Sequence, residues 1–444
     1  MEQLARETKS NSSATPRLPV TLDTILLALM LTLSLLYSRY IQTNNTTGYR
    51  WLHIASFLIL AGVAAYISVD FFGRDQHVQH RLKTVILGFL VLTAAVGPLI
   101  TVVILRHQTG PAQFITDSAV QTEEAMKMVL RGQNPYALNY YATPLYQFDH
   151  KSPALQHYVY LPLTFLLPMP FYVAVKGLLG WFDLRMFYLL FFLFIVWVLW
   201  KMPGTPVFRR SLIIVFALNP EIIYYFVYGT NDIVATACLV ATVYLAAKRR
   251  FWAAAIFLGI GILTKQFILI FLPFYLLYLF GQSRRLWRET DGTWTPLAKT
   301  ALVAGGIVAV FGLPVAAWNL NAFFDDIVRY PYGSAVASWH IAGWGISKAA
   351  LETGLVKTDQ SYFPSSLLYL LVLAPLVAAM LWRQLKENTM PLMLVASALT
   401  IFVFVVVSRF THNNYFYYAT TLLFLAYFGD FAASAPERSI EVAT

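Results

Sequence analysis

Asp117, Glu123 and Glu124 put three carboxylates within eight residues, in the stretch ITDSAVQTEEAMKMVLRGQNPY from Ile115 to Tyr136. A carboxylate can take a proton from a hydroxyl or hold a cation. Lys265 interrupts the apolar run FWAAAIFLGIGILTKQFILIFLPFYLLYLF, and an ammonium in such surroundings needs an anion. Asn231 and Asp232 close YGTND, and SRFTHNNYFYY brings Arg409, His412, Asn413 and Tyr415 into one short segment. Acids, a lysine, an arginine and a histidine make a site if the chain gathers them on one membrane face.

The elements that must gather them are membrane spans. The chain has 444 residues, of which 58% are hydrophobic and 12% charged. Soluble domains carry about 25% charged residues, so the composition is that of a polytopic membrane protein. The net charge of +10 reflects basic residues clustered between apolar runs, a positive-inside pattern and not a nucleic-acid surface. The one cysteine, Cys238, allows no intramolecular disulfide. About twenty mostly polar N-terminal residues precede an apolar run without a small-residue cleavage site, which predicts an uncleaved first helix. No repeat, low-complexity tract or separate soluble domain is evident.

Apolar runs predict spans at Leu18–Tyr37, Trp51–Phe72, Thr84–Leu105, Met186–Trp200, Ser211–Tyr228, Ile233–Ala247, Leu297–Trp318, Ser365–Trp382, Pro391–Val407 and Tyr415–Phe428. Five basic clusters orient them: Arg74, Arg81 and Lys83; Lys201, Arg209 and Arg210; Lys248 to Arg250; Arg284, Arg285 and Arg288; Arg383 and Lys386. All five are expected on the cytoplasmic side. Only one crossing then fits between Leu105 and Lys201, although two apolar stretches lie there. Pro162, Pro168 and Pro170 interrupt the first, which is expected to be juxtamembrane or re-entrant. The run that holds Lys265 lies between two cytoplasmic clusters and must enter and return. Its arms of about 14–17 residues, or ~21–25 Å, are shorter than the ~30 Å hydrocarbon core. Lys265 is expected near the tip of this hairpin. The acids, YGTND, SRFTHNNYFYY and the long segment 319–364 all fall on the same, external side.

An Asp just after a transmembrane helix, followed about fifteen residues later by a GxNPY-like turn, resembles the GT-C glycosyltransferases. The likeness is to the polyprenol-phosphate-mannose-dependent mannosyltransferase type. It also rests on YVYLPLTFLLPMP, LNPEIIYYFVYGTNDI, GIGILTKQFILIFLP and HNNYFYYATTLLF, in that order, and runs from about residue 84 to 428. Where such proteins often have Gln-Asp or Gln-Asn, this chain has Asn231-Asp232; where they often have YPPL, it has Tyr160-Leu161-Pro162-Leu163. The resemblance implies a polyprenyl-phosphate sugar donor, a lipid or glycan acceptor, inversion at the anomeric carbon, and an acid in the first external loop as base. That position is Asp117.

Each residue also has a plainer reading. Asp117 could serve a helix start, with Ser118 and Gln121 as a capping box. Glu123 is expected on a solvated face with Lys127. Glu124, seven residues from Asp117 on about the same helix face, is either such a surface acid or a binder of acceptor or metal. Tyr136 belongs to a structural turn or stacks on a sugar. Lys265 binds the donor phosphate, or pairs with Asp232 or Glu221. Arg409 grips the same phosphate or anchors an interface, and His412 assists it or is a structural hydrogen bonder. Asn231, Asp232, Asn413 and Tyr415 border the substrate cavity. No spacing of His and Cys suits zinc. No cofactor is required, with Mg²⁺ or Mn²⁺ between Asp117, Glu124 and a phosphate as the open alternative.

The expectation is therefore an all-α, polytopic transmembrane helical bundle with juxtamembrane helices in long external loops at 106–185 and 319–364. Residues 1–83 would form additional N-terminal helices, 84–430 the GT-C-like catalytic domain and 431–444 a cytoplasmic tail. The function expected is transfer of mannose or another hexose or pentose from polyprenyl phosphate, with membrane lipids as partners and no nucleic acid. The setting expected is a bacterial or archaeal plasma membrane with the site facing outside. Competing readings are a secondary transporter or lipid flippase, and an envelope assembly protein. Transporters place charge at the midplane between repeats, and no such repeat is seen here.

Overall fold

The computed structural model describes residues 20–42, 50–73, 75–289 and 295–431. The expected start of the first span at Leu18, the cluster residue Arg74 and nearly all of the C-terminal tail lie outside them. Among the described residues the chain is helical, with no β-strand. Six helices are long and apolar enough to cross a membrane, and one bent pair would make a seventh.

Helices α1 (Leu22–Gln42) and α2 (Arg50–Phe72) precede α3, which runs from Gln76 to Thr109 and is longer than the apolar run alone indicated. Its extra first turns are polar, and Asp75 caps them by accepting from His77 N–H at 2.6 Å. A short amphipathic helix, α4 (Asp117–Leu130), follows in the first long connection. The proline-rich stretch forms one turn at Leu163–Leu166 and then α5 (Met169–Leu179), neither long enough to span a bilayer. Helix α6 (Leu184–Lys201) is the crossing after it. The expected single span Ser211–Tyr228 is instead α7 (Pro206–Ala217) and α8 (Pro220–Tyr228), bent by 52°. Pro220 has no N–H to continue the helix, and Asn219 restarts it by accepting from Glu221 N–H at 3.0 Å.

Helix α9 (Asp232–Ala247) leads to the predicted hairpin of α10 (Phe251–Ile262) and α11 (Ile268–Glu289). At twelve residues, α10 is about 18 Å long and stops short of a bilayer core. The second arm is longer than expected because the helix continues through its polar end and accommodates Pro273. The tip, residues 263–267, is stitched to the proline-rich turn. Leu163 N–H donates to the Leu263 carbonyl at 3.0 Å, and Thr164 Oγ1 donates to the Thr264 carbonyl at 3.0 Å. Two elements that stop at the same depth thus satisfy each other's backbone where lipid could not. Helices α12 (Pro296–Trp318), α13 (Ser365–Lys386), α14 (Met390–Val407) and α15 (Phe416–Phe428) complete the bundle.

Buried ion pairs fix the N-terminal helices at the end of the bundle away from the hairpin tip. Lys83 Nζ lies 2.5 Å from Asp70 Oδ1, and Arg210 Nε lies 2.6 Å from Asp23 Oδ2. Tyr66 donates its hydroxyl to Asp23 at 2.6 Å. Two members of the basic clusters are therefore turned into the protein, where they join α1 and α2 to α3 and α7.

Candidate active site

The second end of the bundle is built around α4. Its first residue, Asp117, follows a strained backbone, since Phe114 has φ of 57° without being glycine. Arg185 holds that turn by donating to the Phe114 carbonyl at 2.5 Å and to the Val227 carbonyl at 3.1 Å. Thr116 N–H donates to the Tyr228 carbonyl at 2.8 Å, which ties the start of α4 to the end of α8. The expected capping box does not form. Thr116 is the cap, Ser118 shares a hydrogen bond with it, and Gln121 instead donates to the carbonyls of Ala154 and His157.

Glu123 is not on a solvated face. It is buried and grips Arg106 bidentately at 2.8 and 2.7 Å, while Arg106 also reaches Asp183 at 3.0 Å. The pair bolts α4 to the end of α3 and the start of α6. Glu124 pairs with Lys127 at 2.6 Å. Asp117 is different: its carboxylate accepts the Ser118 N–H at 2.7 Å, and no cation among the described residues forms an ion pair with it. Burial holds its pKa above the usual carboxylate range, only partly offset by backbone hydrogen bonds.

Lys265 sits in the hairpin tip as the short arms required. It is buried, with Nζ 3.0 Å from Asp232 Oδ1 and 2.8 Å from Asn231 Oδ1. The rings of Tyr160 and Tyr415 flank it at 5.3 and 5.6 Å. Asp232 also accepts from Asn414 Nδ2 at 2.5 Å and Tyr418 Oη at 2.7 Å. The protein therefore supplies Lys265 with a carboxylate of its own. His412 is close enough for the Lys265 charge to act on it; burial first, and that charge second, hold it below its ordinary pKa.

Tyrosines connect this pair to Asp117. Burial raises the Tyr160 and Tyr415 hydroxyls, and the charges of both Asp117 and Asp232 raise them further. Tyr330 is raised by burial and then by Asp117, Tyr415 and Asp326. The unpaired acid, the Lys265–Asp232 pair and the segment around residue 326 thus share one neighbourhood.

Asp326 was missed in the sequence. Its Oδ1 lies 2.6 Å from His157 Nδ1, and its Oδ2 accepts Tyr158 N–H at 2.7 Å. Burial pushes its pKa up to about 6, against the lowering effect of His157 and the Tyr158 amide. His157, Asp325 and Asp326 offer ligand atoms within 4.8 Å of one another, the one such grouping among the described residues. The adjacent acids at 325 and 326 were the available signal, overlooked because no apolar pattern marks that loop.

Other expected residues are placed elsewhere. Arg409 is buried and donates to the carbonyls of Trp339, Ser361 and Asp359, so it fastens the 335–362 loop to the end of α14. Tyr136 is buried under Tyr158, Phe165 and Phe323, and its hydroxyl donates to the Tyr160 carbonyl at 2.6 Å. Asn413 begins the single turn that presents Tyr415.

A family model described as glycosyltransferase family 87 matches residues 158–408. The match takes in Asn231, Asp232, Lys265 and Asp326 and begins after Asp117. No curated protein and no solved structure matches the chain.

Proposed function

This chain belongs to glycosyltransferase family 87, a GT-C-type family of integral-membrane glycosyltransferases, and we propose that it takes its sugar from a polyprenyl-phosphate donor and delivers it with inversion to a lipid or glycan hydroxyl. One observation carries this reading. Among the described acids at this end, Glu123 is matched by Arg106, Glu124 by Lys127 and Asp232 by Lys265, and Asp326 shares a hydrogen bond with His157, while no described cation forms an ion pair with Asp117. An unpaired carboxylate whose pKa is raised is poised to accept a proton.

In this scheme the acceptor oxygen attacks the anomeric carbon from the face opposite the phosphate. Its proton passes to Asp117, the anomeric C–O bond breaks, and the electron pair leaves on the phosphate oxygen. Lys265 would offset that growing negative charge, with Asn231 and Tyr415 beside it, His412 within reach of its charge, and Asn413 in the turn that presents Tyr415. Arg409 would act on the phosphate through the loop it fastens. A divalent cation is no part of the scheme. The sugar is mannose or another hexose or pentose.

Purified protein given a labelled polyprenyl-phosphate sugar should transfer the label to a lipid or glycan acceptor; a protein that moves the intact lipid across vesicles without breaking the sugar–phosphate bond would be a flippase. The proposal also puts this end outside a bacterial or archaeal plasma membrane, because the remaining basic clusters lie at the other end. Cys238 is buried, so an introduced cysteine reports alone. An impermeant thiol reagent applied outside should label a cysteine at Gln133 and not one at Arg249, and the reverse pattern would turn the site inward.

A further inference from the structure

Resting on Asp117 as the base, we infer that Arg185 is a positioning residue for the transfer reaction: its guanidinium holds the turn that presents Asp117, and Gly229 leaves room for it to do so. Arg185 is the second residue of α6 and is completely buried. A buried guanidinium persists only if its charge is matched and its N–H donors are bonded. Asp183 meets the charge with both oxygens, accepting from Nε at 2.9 Å and from Nη2 at 2.7 Å. The remaining donors go to main-chain carbonyls. Nη1 reaches Phe114 at 2.5 Å and Val227 at 3.1 Å, and Nη2 reaches Val102 at 3.4 Å.

Those carbonyls lie on three elements, α3, the turn before α4, and α8, and two of them bracket the base. Phe114 stands three residues before Asp117. Val227 precedes Tyr228, whose carbonyl accepts the Thr116 N–H at 2.8 Å. One planar group therefore bonds to both sides of the junction that sets where α4 begins. The junction needs holding. Phe114 has φ of 57°, and a side chain in the left-handed region persists only where its surroundings enforce it. Without the bond to its carbonyl the turn would relax toward an ordinary φ and carry Asp117 with it.

Gly229 is an independent sign of the same arrangement. Its φ is 90°, and a Cβ there would stand 2.9 Å from Arg185 Cγ and 3.1 Å from Cδ. It would also stand 3.5 Å from Ala119 Cβ, in the first turn of α4. A glycine here lets the Arg185 stem pack directly on the backbone that follows α8. Arg185 acts by geometry and not by field. Its charge faces Asp183, and what shifts the Asp117 carboxyl is burial and backbone hydrogen bonds. Lysine could keep the charge opposite Asp183, but its single ammonium has no planar fork with which to reach carbonyls on three elements.

The test is a double-mutant cycle on the full-length protein in detergent, with the labelled polyprenyl-phosphate sugar that the wild type transfers. Arg185→Lys should lower kcat about 10²-fold, the effect of misplacing a reacting group by ~1 Å. The donor's KM and its shift of the melting temperature should stay as in the wild type. In the Asp117→Asn background the same change should cost nothing further, because no base is left to misplace. A residue that only holds the fold would cost the same factor in both backgrounds, and that result would overturn the positioning role while the base stands. Wild-type kcat in Arg185→Lys would do likewise. Should Arg185→Lys not fold, Gly229→Ala carries the same cycle, since it presses a methyl on the Arg185 stem and keeps every bonding group. Loss of the fold in both variants would overturn the role and make Arg185 a fastener of the bundle alone. Wild-type turnover in Asp117→Asn would instead remove the base, and with it the group that Arg185 positions.

Discussion

Asp117→Asn is expected to lower transfer by about 10²–10⁴-fold, the range for loss of a general base, without lowering the melting temperature. The two halves of this result have one cause. Burial raises the Asp117 pKa and no cation compensates it, so the fold holds the ionised carboxylate at a disadvantage. The unfolded chain ionises near the ordinary aspartate value of 3.8, and the folded chain does so at higher pH. Between those two pKa values the native state binds more protons, so this group's contribution to stability falls as pH rises and stays unfavourable above the folded pKa. Asparagine carries no charge and is free of that penalty at neutral pH. It keeps the size of the side chain, while Thr116 remains the cap of α4. An acid of purely structural value would show the opposite pattern, with stability lost and turnover kept. The pH profile supplies a second check. The wild-type rate should fall as pH drops through the raised Asp117 pKa, on an acid limb above the usual carboxylate range. Near-wild-type turnover in Asp117→Asn would remove it as the base and bring Asp326, also raised by burial, into question.

What the sequence made legible was depth and stopping points. Runs of apolar residues marked the helices, although only six of the described helices, or seven with the bent pair, are long and apolar enough to cross. The prolines at 162, 168 and 170 marked where the helix breaks into a turn and the short α5, and α10 ends just before Lys265 in the connection to α11. These are local properties, set by hydrogen-bond chemistry and by rise per residue. Pairing is not local. Glu123 was matched to Lys127 because only helix spacing was available, whereas its partner is Arg106, on a different helix. Lys83 and Arg210 were counted with the cytoplasmic charges, yet Asp70 and Asp23 draw them inward. Arg409 was offered to a phosphate or to an interface, and the carbonyls it fastens lie 48 to 70 residues earlier in the chain. His157 and Asp326 meet across 169 residues. These cases have one source: a charge advertises its need for a partner, but only the packed fold decides which partner meets it.

That distinction governs the expected result for Lys265→Met. The methionine keeps an apolar stem and fits a buried tip, but it leaves Asp232 without the ammonium 3.0 Å away. Asn414 and Tyr418 still donate to the carboxylate, which softens the loss without supplying a positive charge. Stranding one member of a buried pair typically costs about 3–5 kcal/mol, and a melting loss of that order is expected. Adding Asp232→Asn should restore most of it, because the second change removes the charge that the first left unpaired. The strength of this coupling is the double-mutant interaction energy. Transfer should respond differently. If Lys265 offsets the charge that develops on the departing phosphate, its loss should lower kcat by about 10²–10³-fold, as for other groups that act on transition-state charge. Neutralising Asp232 does not replace that cation, so the double variant should be stable and remain slow. A double variant that recovers both stability and turnover would reduce Lys265 to a structural partner of Asp232 and leave the charge on the departing phosphate to be offset by another group.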